Sequence, residues 1–286
     1  MINQIPLRIA AIRFLNPAPL MWDFTHPPHD AVLANRYRLD WMLPSACAEA
    51  LIARRADLGL VPIATLATNP ELQIVPGCTI ASKADVRSLI LVRRAGMSLE
   101  AIRTVAADSA SRSTLAYTQT LFKLRGIRAR FVPAAANLNR MLASADAAMI
   151  IGDAALLAIE EINQSRNQPA TAAQDSGELL YHDLAGLWRE TTGLAWVSAV
   201  WAAGPQVQVT RQLIDDLNNS RIHGSARMDE LAGEWSQKLP LGKKLIRDYL
   251  TKNIHYELDQ ECIDAMRGFF RLAAEQGVLP SHAPRI

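Results

Sequence analysis

The residues best suited to chemistry crowd one short run, "DSASRSTLAY", where Ser109, Ser111, Ser113 and Thr114 fall within six positions. The run leads into a helical pattern. Hydroxyls beside the unpaired N–H groups of a helix start make a binding place for a carboxylate or a phosphate. Ordinary N-capping needs one hydroxyl, and this run offers four. Arg112 inside the run either adds a charge-assisted bond to the same anion or faces solvent.

Three further places carry polar groups where an apolar pattern ends or is broken. Asn16 follows the first apolar run. It makes either a local turn or helix cap, or an amide contact to a ligand oxygen. Ser88 enters the apolar "LILV" and pairs with nearby backbone or with a ligand. In "SADAAMIIGDAAL" a buried strand ends on Gly152 and Asp153 just where a helix begins. Gly152 permits close backbone approach. Asp153 at a helix start is stabilised by the dipole and free N–H groups, which makes it a cap with lowered basicity. The alternative is a general base at a cleft.

Other chemistries find no footing. There is no G-x-S-x-G, no Walker A and no G-x-G-x-x-G; Gly242-Lys243-Lys244 lacks the hydroxyl that should follow. The six histidines show no metal-ligand spacing, and no metal is expected. Cys47, Cys78 and Cys262 are odd in number and far apart, which suits a reducing compartment. A net charge of +2 gives no reason to expect a nucleic-acid or membrane partner. Arg8 and Arg13 interrupt the N-terminal apolar run, so an export signal is not expected and the cytoplasm is.

These residues need elements to hold them, and the chain reads as βαβ grammar. Residues 7–12 read as a short strand and 37–42 alternate like a second. Pro44 and Ser45 open a helix over 46–54, and 57–64 return as a strand. The pattern predicts a mainly parallel sheet with helices on both faces. After the extended stretches "LQIVPGCTIASK" and "VRSLILVRRAG", a second unit begins afresh: strand at "RTVAADS", helix at "STLAYTQTLFKLRG", strand at "ARFVPA", helix at "LNRMLASA", strand at "AAMIIGD". A loop is expected over 164–177, then a long extended run at "LAWVSAVWAAG". The remainder reads as helix, with Ile263, Met266, Phe270 and Ala273 on one face. Two α/β units joined by two long extended segments predict one lobe from residues 1–92 and 198–286 and an inserted lobe from 93–197. A cleft between them is the natural ligand site.

With the pieces in this order, "IRFLNPAPL", "DSASRSTL", "ADAAMIIGDAAL" and "DLAGLWRETTGLAWVSAVW" resemble the chorismate dehydratase family, over about residues 7–203. The resemblance implies a periplasmic-binding-protein type II fold, with two α/β lobes joined by two crossing strands around a central cleft. It implies an enzyme of the futalosine route to menaquinone, a carbon–oxygen lyase that converts chorismate to 3-[(1-carboxyvinyl)oxy]benzoate. No cofactor is expected; the partner is the dicarboxylate chorismate. By the same resemblance Asn16, Ser88 and Asp153 sit at the reacting centre. Ser109, Ser111, Ser113, Thr114 and Gly152 line the substrate site. The proton acceptor is Asp153, a water or the substrate's own carboxylate. The chain departs from the family pattern at 81–89, where a glycine is lost, and at Trp196, which replaces a smaller aromatic. The rival readings are a binding protein for a small acid and the sister 1,4-dihydroxy-6-naphthoate synthase.

Overall fold

The computed structural model describes residues 5–166 and 178–281. The part of the expected loop that covers 167–177 lies outside the described residues. Eleven strands among those residues form two sheets: β1 (Leu7–Ile12), β2 (Tyr37–Met42), β3 (Leu58–Pro62), β4 (Gln73–Ser82), β5 (Leu89–Arg94), β6 (Thr104–Asp108), β7 (Arg130–Ala134), β8 (Ala147–Ile151), β9 (Leu179–Asp183), β10 (Trp196–Ala203) and β11 (His255–Glu257). The first sheet runs β11-β4-β10-β3-β1-β2 and the second β7-β6-β8-β5-β9. Each sheet with its helices makes an α/β lobe. The chain leaves the first sheet after Ser82, enters the second at Leu89, and returns at Trp196.

Neither sheet is mainly parallel, which corrects the expectation from pattern. β1 pairs in parallel with β2 and β3, and β6 with β7 and β8. β10 runs antiparallel between β3 and β4, and β5 antiparallel between β8 and β9. The reason lies in the route of the chain. The βαβ units lay down the parallel pairs, while the segments that join the lobes enter each sheet from the opposite end. Two elements had no legible pattern. β9 is half-buried along its whole length, so it shows no alternation. β11 has three residues within a tract that otherwise reads as helix.

The helix Ser113–Leu124 forms over "STLAYTQTLFKL" and buries Ala116, Tyr117, Leu121 and Phe122. Tyr117 is the centre of an aromatic joint between the lobes. Its ring stacks on Trp196 at 4.0 Å and on Phe269 at 3.7 Å, and meets Trp188 edge-on at 4.8 Å. Those partners come from β10, the helix Gln260–Glu275 and the helix Leu184–Thr192. Val197 donates its backbone N–H to the Tyr117 hydroxyl at 3.3 Å, so the buried phenol is not left empty. One apolar core runs through both lobes by way of this joint, and a smaller one fills the far face of the second sheet.

Candidate functional site

Four elements converge where the lobes face each other. The loop after β1 brings Phe14 and Asn16, and the helix Ser113–Leu124 presents its N-terminus. The end of β8 brings Ile151 and Gly152, and β10 contributes Ser198 and Ala199. The cavity they enclose, of about 50 Å³, also takes in Ser111, Arg112, Ser113 and Thr114. Small-molecule sites run to about 300 Å³ and more, so the lobes are closed on a space for a water or two.

Hydrogen bonds across the cleft hold that closure. Leu15 donates its N–H to Asp153 Oδ1 at 2.9 Å, Ala64 its N–H to Ser113 Oγ at 3.2 Å, and Ser45 its N–H to the Ala110 carbonyl at 3.2 Å. Arg112 reaches over to Glu49 at 3.0 Å. Each bond joins an element of the first lobe to one of the second.

The hydroxyl run divides its duties. Ser111 Oγ, one residue before the N-cap Arg112, accepts from the N–H of Thr114 at 3.2 Å and so serves the first turn of the helix. Ser113 and Thr114 are buried at the cleft. Ser109 is exposed, away from the cleft wall, and lines a neighbouring cavity of about 420 Å³. Asn16 Oδ1 is buried without a hydrogen-bond partner. Burying an amide oxygen without a partner costs about 1–3 kcal/mol. Ser88 sits one residue before β5, behind the cavity wall. Its Oγ is buried without a hydrogen bond of proper geometry, beside the hydroxyl of Tyr249. Its carbonyl accepts from the N–H of Gly152 at 2.8 Å.

Asp153 departs from the expected cap. It lies in the first turn of the helix Gly152–Arg166, but its carboxylate accepts from Leu15 on the other lobe. Its pKa is not lowered. Burial pushes it up to about 6, with the Leu15 hydrogen bond acting in the opposite direction. Gly152 takes φ +64°, a left-handed backbone that favours glycine, and the Phe14 ring lies against its bare Cα.

Two residues here escaped the sequence reading. Phe14 sits in "IRFLNP" beside Asn16 and reads there as one more core residue. Ser198 had a usable signal, the single hydroxyl in the apolar run "AWVSAVW". The Trp196 indole N–H donates to Ser198 Oγ at 3.0 Å, which leaves the hydroxyl proton of Ser198 to be given to the cleft. Ligand-type side chains also gather outside the cleft. At Asp23, His29 and His223, the His223 Nδ1 meets the Asp23 carboxylate at 2.8 Å and the two imidazoles stack within 13° of parallel. Stacked rings aim their lone pairs into separate planes rather than at one ion. At His255, Asp259 and Cys262, the Lys83 ammonium already occupies the carboxylate at 2.6 Å.

The sequence profile of the family described as "Menaquinone biosynthesis" matches residues 7–275. The chain belongs to that family. A curated relative, the chorismate dehydratase of Thermus thermophilus, is 25% identical over 257 residues, covering 89% of this chain and 90% of the relative. Among solved structures, protein AF1704 from Archaeoglobus fulgidus superposes with a TM-score of 0.71 at 12% identity, over 96% of this chain and 98% of the other. The alkanesulfonate-binding protein SsuA from Xanthomonas axonopodis pv. citri, bound to MOPS, gives 0.66 at 15% identity, over 98% and 96%. These likenesses carry the fold: two α/β lobes of the periplasmic-binding-protein kind around a cleft. Among the described residues, no helix is long and apolar enough to cross a membrane.

Proposed function

We propose that this member of the menaquinone-biosynthesis family is a lyase that dehydrates chorismate to 3-[(1-carboxyvinyl)oxy]benzoate. The reading is supported by the chorismate dehydratase relative and carried by one observation in the cleft. The unpartnered Oδ1 of Asn16 shares a cavity with the hydroxyl-rich N-terminus of the helix Ser113–Leu124. A dianion that must also lose a hydroxyl needs both. The helix start with Ser113 and Thr114 holds one carboxylate. Asn16 offers, in one plane, an acceptor for the substrate hydroxyl and donors for its oxygen as the carbon–oxygen bond breaks. Ser198 adds a donor from the opposite wall.

The reaction breaks one ring C–H and one C–O bond and releases water, with no change of redox state. The new ring is aromatic, so the step is downhill and the protein's task is to orient the dianion and assist hydroxide departure. The described side chains on the cavity wall include no carboxylate and no imidazole. Asp153 stands behind the wall, engaged with Leu15. The proton therefore passes to water or to a carboxylate of the substrate itself. Three buried free thiols suit the reducing cytoplasm as the place of action.

The test is direct. Purified protein incubated with chorismate should yield the enolpyruvyl benzoate, followed by chromatography. Absence of turnover together with tight binding of another small acid would replace the lyase by a binding protein.

A further inference from the structure

The contact between Phe14 and Gly152 goes beyond the chemistry just described. A Cβ built on Gly152 would stand 2.7 Å from two atoms of the Phe14 ring, closer than real Cβ atoms come. Phe14 belongs to the first lobe and Gly152 to the second, so the ring seats on the one residue of the β8 end that lacks a side chain. The neighbours of both residues repeat the contact, since Leu15 donates to Asp153 at 2.9 Å. Asn16 follows directly. The ring is also a partition. Phe14 borders the cleft on one side and, on the other, a cavity of about 330 Å³ walled by Met21, Trp41 and Trp235, with Arg13 at its edge.

We propose that Phe14 is a positioning residue and gate: its ring, seated on the bare Cα of Gly152, sets the closed place of the loop that carries Asn16 and seals the cleft from the outer cavity. The physical argument is one of fit. An aromatic ring flat against a backbone is a large contact with one favourable placement, whereas an isolated hydrogen bond tolerates small slides. Lifted from Gly152, the ring would join a space too small for any substrate to one large enough to admit it. The catalytic part of this inference rests on the chorismate reading; the closure itself does not.

Three variants test it: Gly152→Ala, Phe14→Ala and the double variant. Amide hydrogen exchange at Leu15 and small-angle scattering report closure without any substrate. Gly152→Ala should speed exchange at Leu15 by about tenfold or more and enlarge the radius of gyration. With chorismate, its kcat should fall more than its KM rises. Adding Phe14→Ala should return exchange, scattering and part of kcat toward those of Phe14→Ala alone, because the clash is gone. Two results would overturn the proposal. One is unchanged Leu15 exchange in Gly152→Ala. The other is a defect in Gly152→Ala that Phe14→Ala does not relieve, which would leave the left-handed backbone as its cause. Should Gly152→Ala fail to fold, Phe14→Leu serves: a smaller ringless side chain should leave closure looser, and wild-type exchange at Leu15 would sink the idea. If wild type itself does not act on chorismate, the exchange and scattering still decide the latch.

Discussion

The N–H of Leu15 points at Oδ1 of Asp153 across 2.9 Å, and 138 positions of sequence separate them. That bond ties the loop bearing Asn16 to the helix start of the opposite lobe. It also gives the carboxyl group at the end of a buried strand a role: its oxygen accepts from the neighbouring lobe.

Asp153 should make stability fall as pH rises. Its pKa is about 6 folded and about 3.8 unfolded, so the folded chain holds the proton longer over that interval. Its contribution is favourable below about pH 4 and is lost as the pH passes 6. Asp153→Asn keeps an acceptor for Leu15 and removes the buried charge. It should be more stable than wild type at pH 7–8 by on the order of 2 kcal/mol, allowing for partial exposure. The gap should close below pH 4. Urea unfolding across that range checks the sign.

Asn16→Ala should trade activity for stability. Removing a buried amide oxygen that bonds to nothing costs the fold no hydrogen bond, so the melting temperature should hold or rise. Turnover of chorismate should drop by ~100-fold or more, the scale of losing one preorganised polar group. Wild-type turnover in this variant would reduce Asn16 to a turn residue.

Ser198→Ala should weaken substrate binding and loosen the fold together. The variant deprives the cleft of a donor and leaves the Trp196 indole N–H, now accepted by Ser198 at 3.0 Å, without a partner. A several-fold rise in KM with a loss of about 1–2 kcal/mol in unfolding free energy is expected. Trp196→Phe should spare KM more than Ser198→Ala does, because the Ser198 hydroxyl survives.

Tyr117→Phe reports on the joint and not on the chemistry. The phenol accepts from Val197 N–H at 3.3 Å inside the aromatic cluster. Its removal orphans a buried donor at a cost of about 1–2 kcal/mol. Unfolding should shift by that amount with KM unchanged.

Much of this protein is legible in its sequence. The runs "LRIAAI", "YRLDWM" and "AAMII" are strands, and "STLAYTQTLFKL" is a helix, because local propensity and buried surface point the same way. The cleft hydroxyls at 111, 113 and 114 stood out by crowding alone. β9 and β11 did not, since one is evenly half-buried and the other too short to alternate.

Sequence alone, through apolar spacing and punctuation, determined two α/β units with a cleft between them and polar residues at the strand exits. Tertiary structure alone decided strand direction in each sheet, because that depends on which end of a sheet the joining segments enter. It also decided what the exit residues do. A carboxylate near a helix start reads as a cap until the fold brings Leu15 to it and desolvation raises its pKa. A glycine after a strand reads as room for some close approach, and only the fold shows that an aromatic ring from the other lobe rests on it. Local pattern carries no record of groups that meet only across the closed lobes.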